Sequence, residues 1–197
     1  MTKRQTKELL LQKGAEIMHR KGFSESGIQE VLESTGVPKG SFYYYFKSKE
    51  DFGLQVLDLY SAVMLQTLQT RMALTDILII DRIRGFFRDM TNRAVENEFT
   101  GCPIGNLSQE MGSINSSFSR KLNDIFSKLE SDLARCIGEA QLAGEISKGL
   151  DPGRAAIFLV SSWEGALLRM KLTKNTIPYD VFEQTAFGNI LAGALRT

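Results

Sequence analysis

Residues 37–52 read VPKGSFYYYFKSKEDF, and the aromatic run inside this stretch decides the fold. Side chains 42 to 46 are all aromatic: Phe42, Tyr43, Tyr44, Tyr45 and Phe46. In a helix that starts near Pro38, Phe42 and Phe46 stand four residues apart and share a face, so they are read as core. Five consecutive aromatic positions cannot all turn inward from one helix. Tyr43 and Tyr44 must point elsewhere, and tyrosine, with its polar tip, is the aromatic suited to a half-wet position. Tyr45 is open to either reading. Pro38 fits the first turn of a helix, where its missing amide hydrogen has no intrahelical partner to lose.

Upstream, the pattern is helix again. From Thr6, Leu10, Leu11, Gly14, Ile17 and Met18 recur at three- and four-residue steps, and Gly22 is suited to end that helix. Phe23 returns the chain to a core. Ser26 with Gln29 has the spacing of a capping box, and Ile28, Val31 and Leu32 mark one face of a short second helix that Gly36 breaks. Helix, tight turn and helix therefore follow one another, with the aromatic segment as the last helix. Lys39, Gly40 and Ser41 form its first turn, where free backbone amides and the positive dipole end favour an anion. Gly40 costs about 1 kcal/mol in a helix relative to Ala, which points to close approach of a partner at its backbone. Lysine and serine reach phosphates, tyrosine hydroxyls bond phosphate oxygens, and the rings contact thymine methyls, so double-stranded DNA is the expected partner.

Composition agrees with a folded, non-membrane chain. The 197 residues are 43% hydrophobic and 24% charged, enough to bury a sizeable core. No apolar run approaches the roughly 18 residues of a membrane span, and MTKRQTKELLLQK lacks a secretion signal, so the cytoplasm is expected. The net charge is +1, but residues 1–50 carry nine Lys/Arg against six Asp/Glu, an excess of the sign that attracts phosphates. Cys102 and Cys136 have no metal-ligand spacing and are expected as reduced thiols.

Residues 3–60 resemble the DNA-binding domain of the tetracycline-repressor family, and GFSESGIQEVLESTGVPKGSFYYYFKSKED carries the resemblance. It implies an all-α homodimeric regulator: an N-terminal three-helix helix-turn-helix DNA-binding domain, residues 1–47, joined to a larger helical effector-binding and dimerisation domain, residues 48–197. By position, contacts to operator DNA are implied for Ser26, Lys39, Gly40, Ser41, Tyr43, Tyr44, Tyr45 and Lys49. Two residues depart from the family pattern: Gly27 and Pro38 each replace a common Ser or Thr. Family likeness further implies that an inducer moves the helix after Ser48, marked by Phe52, Val56, Leu59 and Val63. Such a movement changes the separation of two recognition helices that must match half-sites about 34–36 Å apart.

The remainder reads as helices near 76–97, 102–112, 115–143, 152–173 and 179–195, with start signals at Asp151-Pro152 and after Pro178. In the family the last two long helices pair with their symmetry mates, where Gly165, Ala166, Gly193 and Ala194 would permit close approach. An apolar inducer cavity is expected among these helices, with Phe86, Met90, Phe118, Phe126, Trp163 and Met170 as lining candidates that also fit ordinary core. GCPIGNLSQE resembles the segment of a subgroup that includes sensors of electrophiles and oxidants. Cys102 would then be the modified thiol and Lys171 the lysine that interacts with it, a cation that favours thiolate. The alternative is a buried, inert Cys102, and Cys136 is read as packing.

Enzyme chemistry finds little support. With one histidine, His19, beside Arg20 and Lys21, His-based triads and multi-histidine metal sites are not expected, and His19 is read as a surface or boundary residue. GEISKGL, residues 144–150, departs from a phosphate-binding loop at Leu150, so no catalytic residue, metal or cofactor is expected. The alternatives are a helical DNA-binding or adaptor protein without an effector pocket, and an all-helical enzyme.

Overall fold

A computed structural model describes residues 2–191 of the chain. Among them the regular elements are all helical: α1 (Lys3–Lys21), α2 (Ile28–Thr35), α3 (Lys39–Tyr45), α4 (Lys49–Met72), α5 (Ile79–Glu96), α6 (Pro103–Met111), α7 (Ser116–Leu142), α8 (Pro152–Thr173) and α9 (Ile177–Glu183), the last continued by a π-helical segment, Gln184–Leu191. No helix of the described residues is long and apolar enough to cross a membrane. Packing divides the chain into two units, Met1–Val63 with Pro103–Asn123, and Met64–Cys102 with Asp124–Thr197.

In the first unit α1 opens on a capping box: the Gln5 amide donates to Thr2 Oγ1, and the Thr2 amide donates to Gln5 Oε1 at 2.8 Å. It ends at Gly22, whose φ of 83° lies where side chains other than glycine's are strained. Leu10, Ile17 and Met18 of α1 bury against Val31, Leu32, Phe42, Phe46, Phe52 and Val56. Gly14 sits in the middle of α1 for a steric reason, because a Cβ there would stand 2.2 Å from the Phe52 ring. The expected capping box of Ser26 and Gln29 does not form. The N-cap of α2 is Gly27, the Ser26 hydroxyl turns inward to donate to the Gly22 carbonyl, and Gln29 bonds Glu33. A hydroxyl that bonds four residues back is no longer placed to meet the amides ahead of it.

Gly36 closes α2 in the left-handed conformation. Pro38 is the N-cap of α3 rather than part of its first turn, and its carbonyl accepts from the Ser41 amide at 2.9 Å. Ser48 then caps α4 by accepting from the Asp51 amide at 3.0 Å, while the Asp51 carboxylate accepts from the Lys47 amide at 2.8 Å. That backbone bond holds the Asp51 carboxyl below its ordinary value of 3.8.

The core of the second unit is an aromatic cluster. Phe87 meets Trp163 at 5.6 Å, Phe182 at 5.5 Å and Phe187 at 6.1 Å between ring centroids, and Phe86 lies on Phe87 at 5.1 Å. Tilted and edge-on pairs of this kind add to the gain from burial. The indole N–H of Trp163 donates to Thr91 Oγ1 at 3.0 Å, which satisfies two buried polar groups at once. Arg71 grips Asp89 through Nε at 2.6 Å and through a second nitrogen, and its guanidinium lies over Gly85, where a Cβ would meet it at 3.1 Å. The first turn of α5 has no side-chain cap of its own, and Glu145 accepts from the Ile80 amide at 2.9 Å in its place. Asp151 caps α8 by accepting from the Arg154 amide at 2.7 Å, one residue ahead of Pro152. α9 begins at Ile177, so Pro178 lies inside its first turn instead of before it. Gly193 and Ala194, expected at a dimer contact, lie outside the described residues.

Candidate functional site

α3 sorts its aromatic residues into two groups. Phe42 is wholly buried and Phe46 1% exposed, whereas Tyr43 and Tyr44 are 59% and 64% exposed. The anchors are mutually packed: Phe42 lies 5.0 Å from Phe46 and 5.2 Å from Phe52, and Phe46 lies 4.7 Å from Phe52. A rod of only seven residues has little helical stability of its own, so this packing is what holds it. Lys39 and Gly40 are exposed at its start, Ser41 is half-buried, and nothing in the protein lies within 4 Å of where a Gly40 Cβ would stand. The glycine thus leaves open space and serves no internal packing. Tyr44 receives a hydrogen bond from Lys3 Nζ at 2.8 Å, which adds a cation from α1 to the same exposed surface. Tyr45 is half-buried and packs edge-on against Tyr44 at 5.0 Å.

Two residues expected on this surface are engaged elsewhere. Ser26 is buried with its hydroxyl on the Gly22 carbonyl. Lys49 donates to the Ser24 carbonyl at 2.9 Å and lies over the Phe23 ring at 4.7 Å, so it fastens the turn after α1. The same turn is clamped by a residue that sequence reading passed over. Glu110 of α6 accepts from the Phe23 amide at 2.8 Å and from the Ser24 amide at 2.7 Å. Burial pushes its carboxyl up, and the bonds from Ser24 and Phe23 with the charge of Lys49 outweigh that and leave it below the ordinary 4.5.

Because the folded values of Glu110 and Asp51 are depressed, their contribution is fully present above the unfolded values of 4.5 and 3.8 and is lost as pH falls through the folded ones. Glu110→Gln is therefore expected to lower stability at pH 7 by about 1 kcal/mol, less than the ~1.5–3 kcal/mol of a charged hydrogen bond because the group is partly solvated. Its acid unfolding between about pH 5 and pH 3 is expected to be shallower than that of the unchanged chain. Circular dichroism at 222 nm across that range checks both.

The effector candidates are distributed over both units. Phe86, Trp163 and Met170 are buried in the second unit, with Trp163 6.4 Å from Phe86. Met90 and Phe126 are half-buried on α5 and α7. Phe118 belongs to the first unit, where it stacks on Phe23 at 4.7 Å and fills the space beside Gly53. A groove of about 410 Å³ does open in the second unit, but it lies between α8 and α9 and is lined by Phe158, Ser162, Gly165, Ala166, Arg169, Pro178, Val181, Phe182, Thr185 and Ala186, none of them an expected lining residue.

Cys102 is buried at the threshold of α6. The loop before it contains Glu98 and Phe99 in the left-handed region, both with φ of 57°, and Gly101 at 82°. Lys174, the left-handed cap of α8, ties that loop down by donating to the Glu98 carbonyl at 3.0 Å. Lys171, the cation expected beside the thiol, is exposed on α8. The thiol hydrogen-bonds Glu164, two turns earlier on the same helix. A lone carboxylate inside AAIFLVSSWEGALL was the sequence signal for it, one that hydrophobic periodicity alone does not rank. Cys136 is wholly buried and its thiol is pushed up to about 11 by that burial, which makes it inert near neutral pH.

Comparison with known proteins adds an independent measure. Residues 10–56 match the family model described as bacterial regulatory proteins, tetR family, and residues 80–186 match tetracyclin repressor-like, C-terminal domain. The HTH-type transcriptional repressor DhaR of Mycobacterium sp. (strain GP1) is 32% identical over 97% of this chain and 95% of its own length. A regulatory protein TetR from Rhodobacter sphaeroides superposes with a TM-score of 0.85 at 34% identity, covering 92% of this chain and 96% of that one. The reduced form of Escherichia coli NemR superposes with a TM-score of 0.86 at 26% identity, covering 95% and 97%.

Proposed function

The chain belongs to the tetracycline-repressor family of transcriptional regulators, and from that premise we propose that it is a repressor that binds a palindromic operator as a homodimer. A small-molecule inducer, or modification of Cys102, releases it. The observation that carries the reading is the division of labour on α3, with two phenylalanines spent on anchorage and two exposed tyrosines flanked by Lys39. Residues 1–47 read the DNA, and residues 48–197 serve the effector and the second copy. Lys39 and Ser41 meet phosphate, the open backbone at Gly40 admits close approach, and Tyr43 and Tyr44 reach base edges or phosphate oxygens. Tyr45 supports Tyr44, and Lys49 and Ser26 hold the turn that sets the angle of α3.

The second copy sits on the apolar face of α8 and α9. Phe158, Leu168, Leu172 and Val181 are 42%, 42%, 71% and 58% exposed, a cost in water that pairing with the same face of another chain removes. Gly165 is exposed among them and permits close helix approach. Family members are regulators rather than enzymes. The test is selection of duplexes from a random pool at low salt, followed by sedimentation of the complex. One dimer on two half-sites about 34–36 Å apart is expected; a chain that retains no duplex, or binds as a monomer, ends the reading.

A further inference from the structure

We propose that Lys3 is a positioning residue for operator recognition: its ammonium fixes the phenol of Tyr44 as an outward-facing hydrogen-bond donor, so that a pair of residues from α1 and α3 selects an acceptor atom of the duplex. This rests on the reading of α3 as the element that meets DNA, and adds a residue that the aromatic run does not name. Three observations of the first unit carry it. Lys3 Nζ donates to the Tyr44 hydroxyl oxygen at 2.8 Å. The Tyr44 ring is held edge-on against Tyr45 at 5.0 Å. Tyr44 is 64% exposed, and no acceptor among the described residues takes its hydrogen.

A protonated amine only donates, whereas a phenol has one hydrogen to donate and lone pairs with which to accept. With its oxygen accepting from Lys3, Tyr44 turns its hydrogen away from α1, toward whatever meets the exposed face. The neighbouring charge also polarises the O–H and strengthens it as a donor. Lys3 is fixed rather than trailing, because the capping box of Thr2 and Gln5 closes the first turn of α1 around it. Lys7, one turn later, lies 5.7 Å from the centre of the Phe46 ring, so one row of α1 borders α3. The bond to Tyr44 holds the Lys3 ammonium above its ordinary 10.5, which keeps it a cation near neutral pH. An outward donor matches guanine O6 or N7, adenine N7, thymine O4 or a phosphate oxygen, and is mismatched against the amino groups of adenine and cytosine. In the free protein the bond adds little, because both groups are exposed. Once a duplex displaces the water, a phenol turned the wrong way leaves an acceptor unpaired.

A double-mutant cycle on the full chain tests this, with Lys3→Met and Tyr44→Phe made singly and together and binding to the selected duplex read by mobility shift. All three variants are expected to melt like the parent, since neither group is buried. Each single change is expected to weaken binding roughly tenfold, and Lys3→Met to add less than about threefold in the Tyr44→Phe background. The charge lost with Lys3 costs the same in both backgrounds, so the difference isolates its action through Tyr44. Lys3→Arg keeps a donor and a charge and is expected to restore most of the affinity. Changing operator base pairs one at a time then identifies the acceptor: discrimination relaxed at the same pair in both single variants marks a base edge, and equal weakening on every duplex marks a phosphate. An equal loss from Lys3→Met in both backgrounds, no loss in either, or relaxation at different pairs in the two variants overturns the inference while the regulator reading stands. A parent chain that retains no duplex ends both.

Discussion

Phe42→Ala is expected to cost about 3–5 kcal/mol and to take operator binding with it, although Phe42 touches no DNA. The ring is wholly buried and lies 5.0 to 5.2 Å from Phe46 and Phe52, so its removal leaves a cavity bounded by two other rings that cannot both collapse into it. α3 is seven residues long, too short to persist as a helix once its anchor is gone. Thermal melting should show a large drop, and mobility shift should show no complex even at temperatures where the second unit stays folded. Phe42→Leu, which refills most of the volume, should recover both together. Loss of stability with intact operator affinity would mean that α3 is not the reading element.

The opposite pattern is expected for the exposed side of the same helix. Tyr43→Ala, Tyr44→Ala and Lys39→Ala should each weaken operator binding roughly tenfold or more while moving stability by less than about 0.5 kcal/mol. Tyr44→Ala also gives up the hydrogen bond from Lys3, but both groups are exposed and water replaces the partner cheaply. Salt titration separates the roles of these residues. If Lys39 neutralises a phosphate, its loss lowers the slope of log K against log salt by about one, whereas loss of a tyrosine that reads bases leaves the slope in place. Measuring the three variants against the selected duplex at four salt concentrations decides between them. Unchanged affinity in all three would place the operator contacts elsewhere on the chain.

Local patterns proved easy to read along the chain. The ends of α1, α2 and α8 are written in Gly22, Gly36 and Asp151-Pro152, because capping depends on residues within a few positions of each other. Where two local signals competed, packing chose: Ser26 had the spacing of an N-cap, but the turn after Gly22 drew its hydroxyl inward and left Gly27 at the cap. Phe118 shows the reach of packing at longer range: α7 contributes to both units, and Phe118 falls in the first, against Phe23, a partner that the periodicity of α7 does not name.

By itself the sequence determined the helical class, the turn between α2 and α3, and the split of five aromatic side chains between core and solvent, since each follows from spacing along one helix. Only the tertiary structure decided which carboxylates matter. Glu110 meets the turn at Phe23 and Ser24 across more than 80 residues of chain, and Glu164 meets Cys102 across about 60. A charge on a helix face carries no sequence mark of what will be folded against it, and burial, which sets both its hydrogen bonds and its proton affinity, exists only once the chain has closed.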